Sequence, residues 1–115
     1  MKASFGRSRM ELVARFDAVV SRHPELVQRK TVGNPAAYVT GNMATGLFAD
    51  GWFVRLSEAE AQELLGLPGA TPFSPMPGRP MKGYVMLPSD VIADDETLEP
   101  WLVRSIAHAA ALPPK

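Results

Sequence analysis

Near the front of the chain Leu12, Val13, Phe16, Val19 and Val20 recur at the spacing of one helical face, with Arg15, Asp17, Ser21 and Arg22 on the other. This predicts a helix from about Ser8 to Arg22. Ser8 caps it with Glu11 closing a capping box, and Pro24 stops it by keeping His23 out of helical geometry. From Arg29 to Leu56 the pattern changes to short β-type runs separated by Gly33-Asn34-Pro35, Gly41-Asn42 and Asp50-Gly51, which predicts an antiparallel meander. A type I′ turn centred on Asp50-Gly51 pairs Ala49 with Trp52, Phe48 with Phe53 and Leu47 with Val54; one centred on Gly41-Asn42 pairs Thr40 with Met43 and Tyr38 with Thr45. The strands then sort into two faces. Tyr38, Thr40, Met43, Thr45, Leu47, Ala49, Trp52, Val54 and Leu56 form the expected core face, and Ala37, Val39, Ala44, Gly46, Phe48, Phe53 and Arg55 the other.

A second helix begins at Ser57, where Glu60 completes a capping box, and ends at Gly66, expected in left-handed geometry ahead of Leu67-Pro68. Residues 68–80 are too rich in proline for a central strand and read as an ordered surface arm or loop. Met81 to Leu87 is a strand candidate with Met81, Gly83, Val85 and Leu87 on one side and Lys82, Tyr84 and Met86 on the other. A last helix carries Leu98, Trp101, Leu102, Ile106 and Ala109, with Arg104 and His108 outward. Its expected start is near Asp95 to Thr97, so that Pro100 falls in the first turn. The order is helix, a meander of three or four strands, helix, one or two strands, helix. That is an α+β fold with helices layered on an antiparallel sheet, in one domain spanning residues 1–115.

Composition narrows the function classes. The 115 residues contain no cysteine, so disulfides, thiol nucleophiles and thiolate metal sites are excluded. Twelve basic residues balance twelve acidic ones, which argues against bulk attraction to nucleic acid or an anionic membrane. No apolar run is long enough to span a bilayer or to act as an export signal, so the cytoplasm is the expected location. His23 and His108 sit in no metal-binding pattern, and the expected role of His23 is at a helix C-terminus. Asp94-Asp95-Glu96 reads as helix capping rather than acid–base chemistry. Nucleophile elbow, Walker loop and dinucleotide fingerprint are all missing, and no cofactor is expected.

Two features carry more content. In Gly78-Arg79-Pro80-Met81-Lys82-Gly83-Tyr84 two cations sit beside an aromatic ring at the start of a strand, suited either to gripping an anion or simply to solvation. The second sheet face would bring Phe48, Phe53 and Arg55 near Lys82 and Tyr84. If every helix covers the opposite side, this apolar and basic face is an interaction surface; if helices cover both sides, it is a second core.

The run Gly33-Asn34-Pro35-Ala36-Ala37-Tyr38-Val39-Thr40-Gly41-Asn42-Met43-Ala44-Thr45-Gly46, then Asp50-Gly51-Trp52-Phe53-Val54-Arg55-Leu56, resembles the N-terminal domain family of the bacterial competence regulator TfoX. Met76-Pro77-Gly78-Arg79-Pro80-Met81-Lys82-Gly83-Tyr84-Val85 and a closing helix with Trp101, ending Leu112-Pro113-Pro114-Lys115, resemble its most distinctive signature. The resemblance implies a two-layer fold similar to secretion chaperones and YjbR-like proteins, with no established reaction. Transcriptional control, which belongs to longer relatives with a further domain, is not carried over.

The expected function is therefore a non-catalytic cytoplasmic interaction domain. It binds a protein partner, or a second copy as a homodimer, through Phe48, Phe53, Arg55, Arg79, Lys82 and Tyr84. The alternative is nucleic-acid binding, with Arg7, Arg9, Arg55, Arg79 and Lys82 on phosphates and Phe53 or Tyr84 stacked on a base. An enzyme acting on a small anion at Arg79 and Lys82 ranks last, because no general base accompanies them.

Overall fold

A computed structural model describes residues 9–31, 34–76 and 78–115. The elements run α1 (Arg9–Val20), β1 (Val27–Thr31), β2 (Asn34–Val39), β3 (Asn42–Phe48), β4 (Gly51–Arg55), α2 (Glu58–Leu65), β5 (Thr71–Pro72), β6 (Tyr84–Met86), α3 (Ser89–Ala93) and α4 (Asp95–Ala111). The strands form one antiparallel sheet in the order β1-β2-β3-β4-β6-β5. The expected order holds, with α3 added and two strands after α2. The proposed cap Ser8, and Gly33 of the first turn, lie outside the described residues.

The helices supply one continuous core with the sheet. Leu12, Phe16, Val19 and Val20 of α1, Ala61 and Leu64 of α2, Val91 and Ile92 of α3, and Leu98, Leu102, Ile106 and Ala109 of α4 pack with Ala37, Val39, Ala44, Leu47, Trp52, Val54 and Val85. Trp52 is at its centre, fully buried, with the Phe16 ring edge-on at 5.0 Å. Its indole Nε1 donates to Thr45 Oγ1 (2.8 Å), which donates to the Phe53 carbonyl (2.7 Å), so both buried polar side chains are satisfied.

Both hairpin turns lie one residue earlier than the sequence predicts. Val39 pairs with Asn42, which centres that turn on Thr40-Gly41, both at positive φ as type I′ requires. Phe48 pairs with Gly51, centring the next on Ala49-Asp50; Ala49 takes the positive φ, and Arg9 donates to its carbonyl. Gly51 instead opens β4, where a Cβ would collide with the Met86 methyl. Shifting a two-residue turn by one residue moves the partners by two, so the predicted faces of β4 and of β3 from Thr45 to Phe48 survive: Leu47 lies opposite Trp52, and Thr45 opposite Val54.

In β2 and the first residues of β3 they do not survive. Ala37 pairs with Thr45 and Tyr38 with Met43, leaving Ala44 as an extra residue in a β-bulge. One inserted residue reverses the alternation. Ala37, Val39 and Ala44 enter the core, while Tyr38 and Met43, expected inside, emerge on the opposite face. The bulge is secured from α4, where buried Ser105 donates to the Ala44 carbonyl (2.5 Å) and accepts from the Arg55 amide (3.2 Å). Ser105→Ala should leave both backbone groups short of a partner and lower stability by about 1–3 kcal/mol. Chemical denaturation would check this, with Ser105→Thr, which keeps the hydroxyl, recovering part of the loss.

Helix ends follow the expected chemistry except at two points. Ser57 caps α2, accepting from the Glu60 amide (3.3 Å) and donating to its carboxylate (3.1 Å). Gly66, however, is right-handed; the left-handed glycine is Gly69, following Pro68 in a turn closed by the Ala70 amide on the Leu67 carbonyl (3.1 Å). The last helix starts at Asp95 as expected, with Asp94 as N-cap, but Pro100 then falls beyond the first turn.

Candidate functional site

All helices pack on the Trp52 side of the sheet, and the other side carries Val27, Arg29, Ala36, Tyr38, Met43, Gly46, Phe48, Phe53, Arg55, Tyr84 and Met86. Gly46 makes a shallow trough there. A Cβ on Gly46 would lie 2.7 Å from the tip of the Phe53 ring, which rests across the backbone beside Ala36.

The proline-rich segment folds over this trough. From β5 the chain runs out to a tip where Met76 bridges Arg79, Gly78 taking a positive φ, and returns to β6. The Phe73 amide donates to the Tyr84 carbonyl (3.0 Å) and the Met81 amide to the Phe73 carbonyl (2.8 Å), tying the two arms together. Phe73 then stacks on Phe53 with ring centroids 4.4 Å apart and planes within 8°, and meets the Phe48 edge at 5.3 Å. Phe53 is consequently only 4% exposed. The expectation of an uncovered Phe53 is corrected: no helix roofs it, but the chain's own proline arm does. Nothing periodic marks Phe73 in the sequence, which is why pattern analysis passes over it.

The remainder of the face is open and basic. Arg55 lies over the Tyr84 ring at 5.3 Å and Arg29 over the Tyr38 ring at 5.2 Å, two cation–π pairs flanking Met43. Burial raises the Tyr84 phenol above its usual pKa, partly opposed by the Arg55 guanidinium. Arg79 and Lys82 are exposed on the returning arm. The structure thus groups Phe48, Phe53, Arg55 and Tyr84, adds Arg29, Tyr38, Met43 and Phe73, and leaves Arg79 and Lys82 at the hairpin. Of the proposed phosphate contacts, Arg9 is engaged with Ala49 and Asn34, and Arg7 lies outside the described residues.

The neutral total conceals a separation of signs. Every carboxylate side chain lies on a helix or in a connection, whereas the charged residues that the strands place on the helix-free face are Arg29 and Arg55, both cations. On the helix side Arg15 pairs with Asp95 (2.8 Å), Arg22 with Asp95 (3.4 Å) and Glu99 (3.6 Å), and Arg104 with Glu63 (3.0 Å), while the His23 ring is hydrogen-bonded to Glu99 (2.9 Å) and Arg9 is held by the Ala49 carbonyl and Asn34. Among the described residues no such ion pair joins Arg29, Arg55, Arg79 or Lys82 to a carboxylate.

The acidic run is accounted for in the same way. Asp94 accepts from the Glu96 amide (3.1 Å), and hydrogen bonds from Arg15 and then Arg22 hold the Asp95 carboxyl below its ordinary 3.8. Because the folded value is depressed, this contribution to stability is present above the unfolded pKa and is lost as pH falls through the folded one. Arg15→Ala should move the Asp95 titration, followed by NMR, upward toward 3.8, the ordinary carboxyl value. Among the described residues no group of His, Asp and Glu side chains is arranged to hold a metal, and no helix is long and apolar enough to cross a membrane.

The family model for the TfoX N-terminal domain matches residues 18–109. No curated protein and no solved structure matches the chain.

Proposed function

Because the chain belongs to the TfoX N-terminal domain family, we propose that it is a non-catalytic regulatory interaction domain, working in the cytoplasm, that docks an acidic protein surface on the helix-free face of its sheet. The observation that carries this reading is the separation of charge between the two layers. In the helix layer Arg15, Arg22 and Arg104 meet carboxylates, while Arg29 and Arg55 lie over the Tyr38 and Tyr84 rings of the helix-free face with no carboxylate ion pair among the described residues. Guanidinium forks suit carboxylates, and Met with aromatic rings suits the apolar centre of a protein interface.

Two alternatives fit this face less well. A second copy docked by the same face about a twofold axis would set cations against cations. Base stacking needs free ring faces, yet Phe53 lies beneath Phe73, and Tyr38 and Tyr84 each carry a guanidinium. Affinity capture from the native soluble extract should recover the same protein with wild type and with Arg104→Ala, and lose it with Arg29→Glu/Arg55→Glu. Recovery that does not distinguish these variants refutes the reading, as does salt-sensitive binding of a single-stranded oligonucleotide in their place.

A further inference from the structure

We infer that the tip of the proline arm is an anchor for a second copy of the chain, seating in that copy's groove between the end of α2 and the starts of α3 and α4. It goes beyond the sheet-face reading and does not depend on it. The groove, about 440 Å³, is walled by Leu67, Pro68, Pro88, Pro100 and Trp101. Leu67 is 37% exposed, and Trp101 is only partly buried against the core. Three charged side chains also line it: Asp90, Glu96 and Arg104. Arg104 is already engaged, lying over the Trp101 ring at 4.6 Å and paired with Glu63 at 3.0 Å. Asp90 accepts from the adjacent Val91 amide (3.1 Å), and among the described residues no cation pairs with Asp90 or Glu96. The result is an apolar slot with an acidic rim.

The first described residue, Arg9, lines a different cleft. Ala49 and Asn34 hold it on the β1 side of α1. On the other side of α1, Arg15 reaches the Ile92 carbonyl (2.8 Å) and Asp95 (2.8 Å), and the groove lies past α3, toward α2.

The arm carries the complement. Met76 at its tip is 61% exposed, and Arg79, bridged to it, and Lys82 are both exposed cations without a carboxylate ion pair among the described residues. A flexible thioether suits a slot walled by proline and an indole, since sulfur against an aromatic ring is a favourable contact. Arg79 and Lys82 then meet Asp90 and Glu96, opposite charges across the rim. The arm lies over the helix-free face and the groove opens in the helix layer, so the contact is head to tail, unlike a same-face pairing of cations. A tip in a slot buries little area and belongs with weak contacts, so association is expected at high concentration and low salt.

Sedimentation velocity in low salt should show the wild-type sedimentation coefficient rising with concentration. Over the same range NMR should show the Trp101 indole N–H shifting while that of enclosed Trp52 stays still. Arg79→Glu/Lys82→Glu and Asp90→Lys/Glu96→Lys should each weaken association at least about tenfold, and an equimolar mixture should recover it, because the reversed arm of one fits the reversed groove of the other. Met76→Ala should weaken it with every charge kept, and Arg29→Glu/Arg55→Glu should leave it intact. A wild type that stays monomeric at every concentration would overturn the contact, as would a mixture that fails to associate. Self-association lost with Arg29→Glu/Arg55→Glu but kept in the arm variant would overturn it too, and would assign pairing to the sheet face.

Discussion

Trp52→Ala is expected to lower unfolding stability by about 3–5 kcal/mol, the range for truncating a large buried aromatic side chain. The indole is completely enclosed, packs against Phe16 of α1 and donates to Thr45, so its removal opens a cavity where α1 meets the sheet centre. That joint has no substitute, because Leu12, Phe16, Val19 and Val20 are the residues by which α1 enters the core. Denaturant unfolding should show a lower midpoint with an unchanged slope, the mark of lost stability without a change in cooperativity. Trp52→Phe, which refills most of the space but removes the donor, should lose less. A loss below 1 kcal/mol for the alanine variant would mean that this ring is not the centre of packing described above.

The second large effect belongs to Phe73→Ala, which should cost about 3 kcal/mol and loosen the proline arm from the sheet. Phe73 stacks on Phe53 and meets Phe48 and Tyr84, so a single side chain connects the arm to the aromatic trough. With it gone, hydrogen exchange at the Phe73 and Met81 amides should accelerate, and bared Phe53 should raise binding of a hydrophobic dye. Met76→Ala, at the exposed tip, serves as the control that leaves both unchanged. Undisturbed exchange in Phe73→Ala would show that the backbone bonds alone hold the arm.

Much of this architecture is legible in the sequence because its signals are local. The α1 stripe, the Ser57–Glu60 capping box, the Asp95 start of α4 and the Val85 side of β6 all follow from short-range spacing. The turns were displaced because Asp-Gly and Gly-Asn are strong turn formers, yet here Gly51 serves packing against Met86 and Asn42 sends its amide to the Pro113 carbonyl (2.9 Å). The bulge is invisible locally. Ala44 fits either face, and what selects it is a hydroxyl on α4, sixty-one residues away in sequence. The same holds for the candidate site. Phe48, Arg55 and Tyr84 lie on the sheet face that alternation assigns them, but Tyr38 and Met43 change sides with the bulge, and Phe73 is recruited from a stretch without periodicity. Charge counted along the chain likewise hides its sorting by layer, since strands and helices alternate in sequence and separate only in space.

Among the described residues that sorting sets Arg29 and Arg55 on one face and the carboxylates of the helices on the other, a charge asymmetry directed across the two layers of a chain with zero formal charge. Such a body feels no net pull from a distant charge, but it does feel a torque. Approaching a negative object in dilute salt, it turns its strands forward before touching, so orientation is settled during diffusion rather than by trial collisions. At about 0.1 M salt the Debye length shrinks to roughly 10 Å, and the alignment survives only in the last stage of approach.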